Sequence, residues 1–198
     1  MAKGPLGGNW EYFVNLIGAG IQKKERPQIE IIIEYLINDP MLKNGLIKIV
    51  ELLKENKAKP AWFTTSHYKC KHKGGVAFQI KIGDGFKLRE NEIFITIHTT
   101  AAANMTQFEQ FITEEMRNIV INSANFNVCN SCGRPEHSPC NKIVDFEFNG
   151  KQYNGICVGN INVNFLLDSN TPNLSEQFQM IEDFISAKIK FNSISHTN

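Results

Sequence analysis

Most of what would announce an activity is missing from this chain of 198 residues. No stretch approaches the ~20 consecutive apolar residues that a membrane-spanning helix needs. Residues 1–8 have no apolar run before their glycines, so no secretory leader is expected, and a reducing cytoplasm is the expected location. Neither charge is in excess: 21 Lys and Arg against 20 Asp and Glu leave +1. That balance removes the electrostatic footprint of a dedicated nucleic-acid binder. Catalytic signatures are lacking too. There is no H-E-x2-H pair, no glycine-rich phosphate loop and no nucleophile elbow, and Gly83-Asp84-Gly85 is without the third glycine and following helix of a dinucleotide fingerprint.

What is present is a cluster of cysteines. Four of the five fall in the last seventy residues: Cys129, Cys132 and Cys140 in one loop and Cys157 on an expected strand. A chain of this length buries a core without disulfide staples, and in a reducing compartment clustered thiols more often bind metal or do redox work. Cys129 and Cys132 have the spacing of a zinc knuckle, and Gly133 after them lets the backbone turn with amides toward sulfur. The remaining ligands are either His137 with Cys140, or Cys140 with Cys157. Only two residues separate His137 from Cys140, a tight spacing. This favours a structural zinc on Cys129, Cys132, Cys140 and Cys157, with His137 as the alternate ligand. Cys157, between Ile156 and Val158, also reads as a small buried apolar residue, and Cys70 as an inert one.

Periodicity divides the rest. The first sixty residues read as helical. Trp10, Phe13, Val14 and Ile17 have helical spacing, 29–37 is a dense apolar run, and Leu42, Leu46, Ile49, Val50 and Leu53 form another stripe, with a break at Asp39-Pro40. From Trp62 the period becomes two. Val76, Phe78, Ile80 and Ile82 alternate with Ala77, Gln79 and Lys81, Ile93, Ile95 and Ile97 alternate with Phe94, Thr96 and His98, and residues 71–75 read as a solvated hairpin turn. Thr106 with Glu109 forms an expected capping box for a helix whose apolar face carries Phe108, Phe111, Ile112, Met116, Ile119 and Val120. Val144, Phe146 and Phe148 then alternate up to a hairpin turn at Asn149-Gly150. Ile161, Val163, Phe165 and Leu167 follow, and Thr171-Pro172 opens a last amphipathic helix. An α+β class follows: an antiparallel sheet with helices on one face, built from two similar strand-strand-helix units about a pseudo-twofold, after a helical extension over 1–60.

From about Trp62 to Lys190, this order of elements, the C-x2-C-G loop with a later cysteine, the sequence Asp168-Ser169-Asn170-Thr171-Pro172 and the terminal amphipathic helix together resemble the GyrI-like proteins, in particular their cysteine-bearing uncharacterised bacterial members. The resemblance implies a domain over 61–192 whose concave sheet face binds small, often apolar or cationic molecules. It does not extend to a recognition helix, because nothing in 1–60 has basic residues on one face. Candidate ligand contacts on the strand face opposite the helices are Trp62, Tyr68, Phe94, His98 and Tyr153; Glu147, alternating with core positions like Asp145, is a candidate acid. Small-molecule binding is the leading expectation, with no membrane and no direct nucleic-acid partner. Two other classes stay open. One is a zinc- or thiol-dependent hydrolase acting on the same ligand. The other is an interaction module in which Trp10, Phe13 and 29–37 form a homodimer or partner surface.

Overall fold

A computed structural model describes residues 19–83, 91–99, 104–123, 143–157 and 162–195. Three helices open the described chain: α1 (Ala19–Glu25), α2 (Ile29–Leu36) and α3 (Pro40–Glu55). The α2 run buries Ile29, Ile32, Ile33 and Leu36, the three-and-four spacing of one helical face. Between α2 and α3 the chain breaks where Asp39-Pro40 demands it. The Asp39 carboxylate caps α3 by accepting from the N–H groups of Met41 and Leu42, both at 2.9 Å, and Pro40 fills the first turn, where a missing N–H costs nothing. On α3 the residues Leu42, Leu46, Ile49, Val50 and Leu53 are all buried, as their spacing predicts.

Five strands, β1 (Pro60–Thr64), β2 (His67–His72), β3 (Gly75–Ile82), β4 (Ile93–His98) and β7 (Asn162–Leu167), form one sheet in the order β1-β2-β3-β4-β7. β1–β2 and β2–β3 pair antiparallel. The β2–β3 turn is Lys73-Gly74, with φ of 49° and 85°; left-handed backbone at both positions matches the twist of a two-residue hairpin. At the β1–β2 turn, the completely buried Gln22 of α1 holds Ser66. Its Nε2 donates to Ser66 Oγ at 3.1 Å and its Oε1 accepts the Ser66 N–H at 2.7 Å. α1, α2 and α3 all pack on β1, and α2 also on β3. β5 (Ile143–Phe148) and β6 (Lys151–Cys157) form a separate two-stranded sheet closed at Asn149-Gly150, φ 52° and 69°. The architecture is thus α+β with helices ahead of an antiparallel sheet. The second strand group, however, does not repeat the first within one sheet: β7 joins the five-stranded sheet, while β5 and β6 stand by themselves with α4 (Met105–Phe108) against β5.

The described residues of Met1–Ile95 with Phe165–Glu182 form one compact unit, and those of Thr96–Asn164 with Asp183–Asn198 the other. In the second unit the expected capping box does not form. Thr106 lies inside α4, after its N-cap Asn104, and its hydroxyl donates to Glu147 O at 2.7 Å. Glu109 Oε2 accepts the Asn149 N–H at 3.1 Å. Both side chains have taken partners on the β5–β6 hairpin, and a 3-10 turn (Glu109–Phe111) and an extended Ile112 divide the apolar stretch. α5 (Glu114–Ser123) restarts behind Thr113, whose Oγ accepts the Met116 N–H. α6 (Leu174–Ser195) closes the described chain and carries the buried Lys188 beside Phe108 and Phe191. No helix among the described residues is long and apolar enough to cross a membrane.

Candidate functional site

A cleft of about 360 Å³ lies in the first unit between one face of α3 and the start of α6. Its wall from α3 is Met41, Asn44, Gly45 and Lys48, and its wall from α6 is Leu174, Ser175, Phe178, Gln179 and Glu182. Both sets recur every three to four residues, so each is one helical stripe, adjacent to the stripe that fills the core. Leu174 and Phe178 are buried at the floor, while Met41, at 58% exposure, stands at the mouth. The two helices approach this closely because α3 has no side chain at Gly45: a methyl there would overlap the Phe178 ring. A glycine inside a helix costs roughly 1 kcal/mol against alanine, a cost that this packing explains.

Chemically the cleft combines an apolar floor with polar ends. Lys48 offers a cation, Glu182 an anion, and Asn44, Ser175 and Gln179 offer hydrogen-bonding groups. It has no histidine or cysteine wall. The arrangement therefore suits holding a ligand rather than activating a nucleophile. The volume lies in the range of small-molecule sites, roughly 300–1,000 Å³. In the sequence the one signal of this close approach is Gly45, a glycine inside a helical apolar stripe.

The residues expected from the sequence to meet a ligand are dispersed. Tyr68 is completely buried, and its hydroxyl donates to Pro27 O at 2.9 Å, so it faces the helices rather than the opposite side. Burial holds its pKa above the ordinary tyrosine value, with the Glu30 charge adding to the effect. Trp62 is the cross-strand partner of Tyr68, half-buried, and shares that face. Phe94 is half-buried on the other face, with the Lys81 ammonium 5.1 Å from its ring centre. In the second unit, His98 is half-buried on β4, Glu147 is exposed on β5, and Tyr153 stacks on Phe146 at 5.4 Å.

Cys129, Cys132, His137 and Cys140 lie outside the described residues, as does the side chain of Cys157, whose backbone ends β6. Among the described residues no group of three His, Cys, Asp or Glu side chains is placed to hold a metal ion. Cys70 is buried, and burial pushes its thiol up to about 12, as expected of an inert cysteine. The sequence matches no protein-family model, no curated protein and no solved structure.

Proposed function

We propose that the chain is a cytoplasmic small-molecule-binding module whose ligand occupies the cleft between α3 and α6. The observation that carries the proposal is the cleft itself, an apolar floor where the Phe178 ring packs against Gly45, with Lys48 and Glu182 on its walls. The ligand class that fits has an apolar body and an acidic group for Lys48, with an amine or hydroxyl donor for Glu182. Small-molecule binding is also what the resemblance to GyrI-like proteins implies. A thermal-shift screen of amphipathic carboxylic acids and amino-acid-like zwitterions tests it. At a free concentration of 100 Kd a true ligand stabilises by about 2.7 kcal/mol, a shift of several degrees. Ser175→Trp, at an exposed position of the cleft wall, is expected to abolish the shift without changing the basal melting temperature. The absence of any stabiliser, or stabilisation that survives Ser175→Trp, would rule the cleft out.

We also propose a structural zinc held by Cys129, Cys132, Cys140 and Cys157, with His137 as the alternate ligand. The knuckle spacing supports this, and so does register: Cys157 pairs with Ile143 across β5–β6. In the sequence Cys140 is three residues before Ile143. Near-stoichiometric zinc is expected in reduced protein, lost in both Cys129→Ser and Cys157→Ser. Loss in Cys129→Ser alone would point to His137 instead, and no zinc in the unaltered chain would remove the site.

A further inference from the structure

The whole-chain balance of charge hides a local separation. Residues 60–82, the three strands β1 to β3 with their turns, contain four lysines and no aspartate or glutamate. Alternation along the strands puts Lys69, Lys71 and Lys81 on the side away from α1–α3, because Tyr68 and Cys70 between them are buried on the helix side. His67 is in register with Lys81, and Lys69 with Gln79. On this outer face the Lys69 ammonium sits 3.3 Å from the centre of the Phe63 ring, and the Lys81 ammonium sits over Phe94 at the longer distance of 5.1 Å. Phe63 is 52% exposed, and Lys71 and its register partner Val76 are exposed too. His67 links the two pairs: its ring meets Phe63 edge-on at 5.2 Å and its Nε2 bonds Gln79 Oε1 at 2.8 Å. Burial first, and then the charges of Lys81 and Lys69, hold the His67 pKa below its ordinary value, against a hydrogen bond to Gln79 that raises it. That direction favours the neutral imidazole.

One face of the sheet thus presents the same unit twice, an aromatic ring with a lysine over it, on β1–β2 and again on β3–β4. A repeated ring-and-cation unit fits a polymer whose own repeat is a flat ring and an anion. We propose that this face binds single-stranded nucleic acid, with bases stacking on Phe63 and Phe94 and phosphates meeting Lys69, Lys71 and Lys81. β1 and β4 are separated by three strand spacings, about 14 Å in all, which accommodates about four nucleotides at the stacked rise of roughly 3.4 Å. On binding, a base takes the place of each ammonium over its ring, and the displaced ammonium turns to the neighbouring phosphate. Stacking on aromatic side chains combined with a basic track is the physical recipe for sequence-tolerant single-strand binding. This site is separate from the cleft and stands independently of the cleft's ligand.

The test is fluorescence anisotropy of a labelled 12-nucleotide oligothymidine with the full chain at 50 and 200 mM salt. Binding is expected at the lower salt, with Lys69→Glu/Lys71→Glu weakening it by tenfold or more and flattening its salt dependence. Phe63→Ala is expected to weaken binding about tenfold with the salt slope unchanged, since it removes stacking and no charge. Circular dichroism of each variant establishes that the fold is intact. No binding at 50 mM salt overturns the proposal. So does binding that Phe63→Ala leaves unaltered, or equal affinity for duplex DNA, since either would mean simple polyanion attraction. A Phe63-dependent affinity for heparin fragments without affinity for the oligonucleotide would mark an acidic glycan surface and overturn it as well.

Discussion

Gly45→Ala is expected to destabilise the chain by about 1–3 kcal/mol, although the same change in an exposed helix interior would stabilise it by roughly 1 kcal/mol. The sign is reversed by one neighbour. A methyl on Gly45 enters the space of the Phe178 ring, which is itself buried. Relief therefore requires α6 to shift or Phe178 to leave its rotamer. Chemical denaturation of the single variants and of Gly45→Ala/Phe178→Leu measures the coupling. The double variant should be more stable than the sum of the singles predicts by 1 kcal/mol or more, because leucine vacates the space that the methyl needs. A neutral or stabilising Gly45→Ala would mean that the helices do not meet at this point, and the floor of the cleft would go with them.

The second large effect is a dependence on pH carried by Lys188. Its ammonium donates to Thr99 O and lies 5.8 and 5.2 Å from the ring centres of Phe108 and Phe191. Burial pushes its pKa down from 10.5 to about 8. In the unfolded chain the same lysine titrates at its ordinary value. Between pH 8 and 10.5 the unfolded state therefore retains a proton that the folded state has released, and stability rises with pH across that window. The full difference corresponds to about 3 kcal/mol. Cys70, whose thiol burial pushes from 9.0 up to about 12, acts in the opposite direction from about pH 9, and Tyr68, raised by burial, from about pH 10; both are common to the unaltered chain and Lys188→Met, so the difference between the two isolates the lysine. Urea titrations at pH 7, 8, 9 and 10 should show the unaltered chain gaining stability relative to Lys188→Met, by about 2 kcal/mol at pH 10. Parallel curves would mean that Lys188 keeps its ordinary pKa in the folded protein.

Much of the fold follows from short-range chemistry and could be read directly. Pro40 cannot continue a helix from Asp39, and Asp39 has the carboxylate to cap the next one, so the α2–α3 break is local. Lys73-Gly74 and Asn149-Gly150 turn because glycine adopts positive φ without strain. The alternation of Ile93, Ile95 and Ile97 gives one buried face of β4, and all three are buried. Elsewhere local signals met stronger distant ones. Thr106 and Glu109 have the spacing of a cap, but the β5–β6 hairpin offered them backbone partners, and the apolar stretch divided. Val76, expected inside, is exposed, because an irregularity between Cys70 and Lys71 shifts the phase of the pairing and sets Val76 opposite Lys71.

The candidate sites were less legible for a related reason. A period of two says that Trp62 and Tyr68 can share a face with each other, yet it does not say which face the helices will cover. Nothing in that period singles out Phe63, although its ring is the one 52% exposed to solvent. The four lysines of 60–82 were visible as charge, but their seating over aromatic rings depends on cross-strand register. Composition, helical and strand periods, the turns and the α+β class were determined by the sequence alone, since each depends on backbone preferences and on neighbours within a few residues. The cleft beside Gly45, the outer face of the sheet and the burial of Lys188 were decided by tertiary structure, because each is made by side chains that only long-range packing brings together.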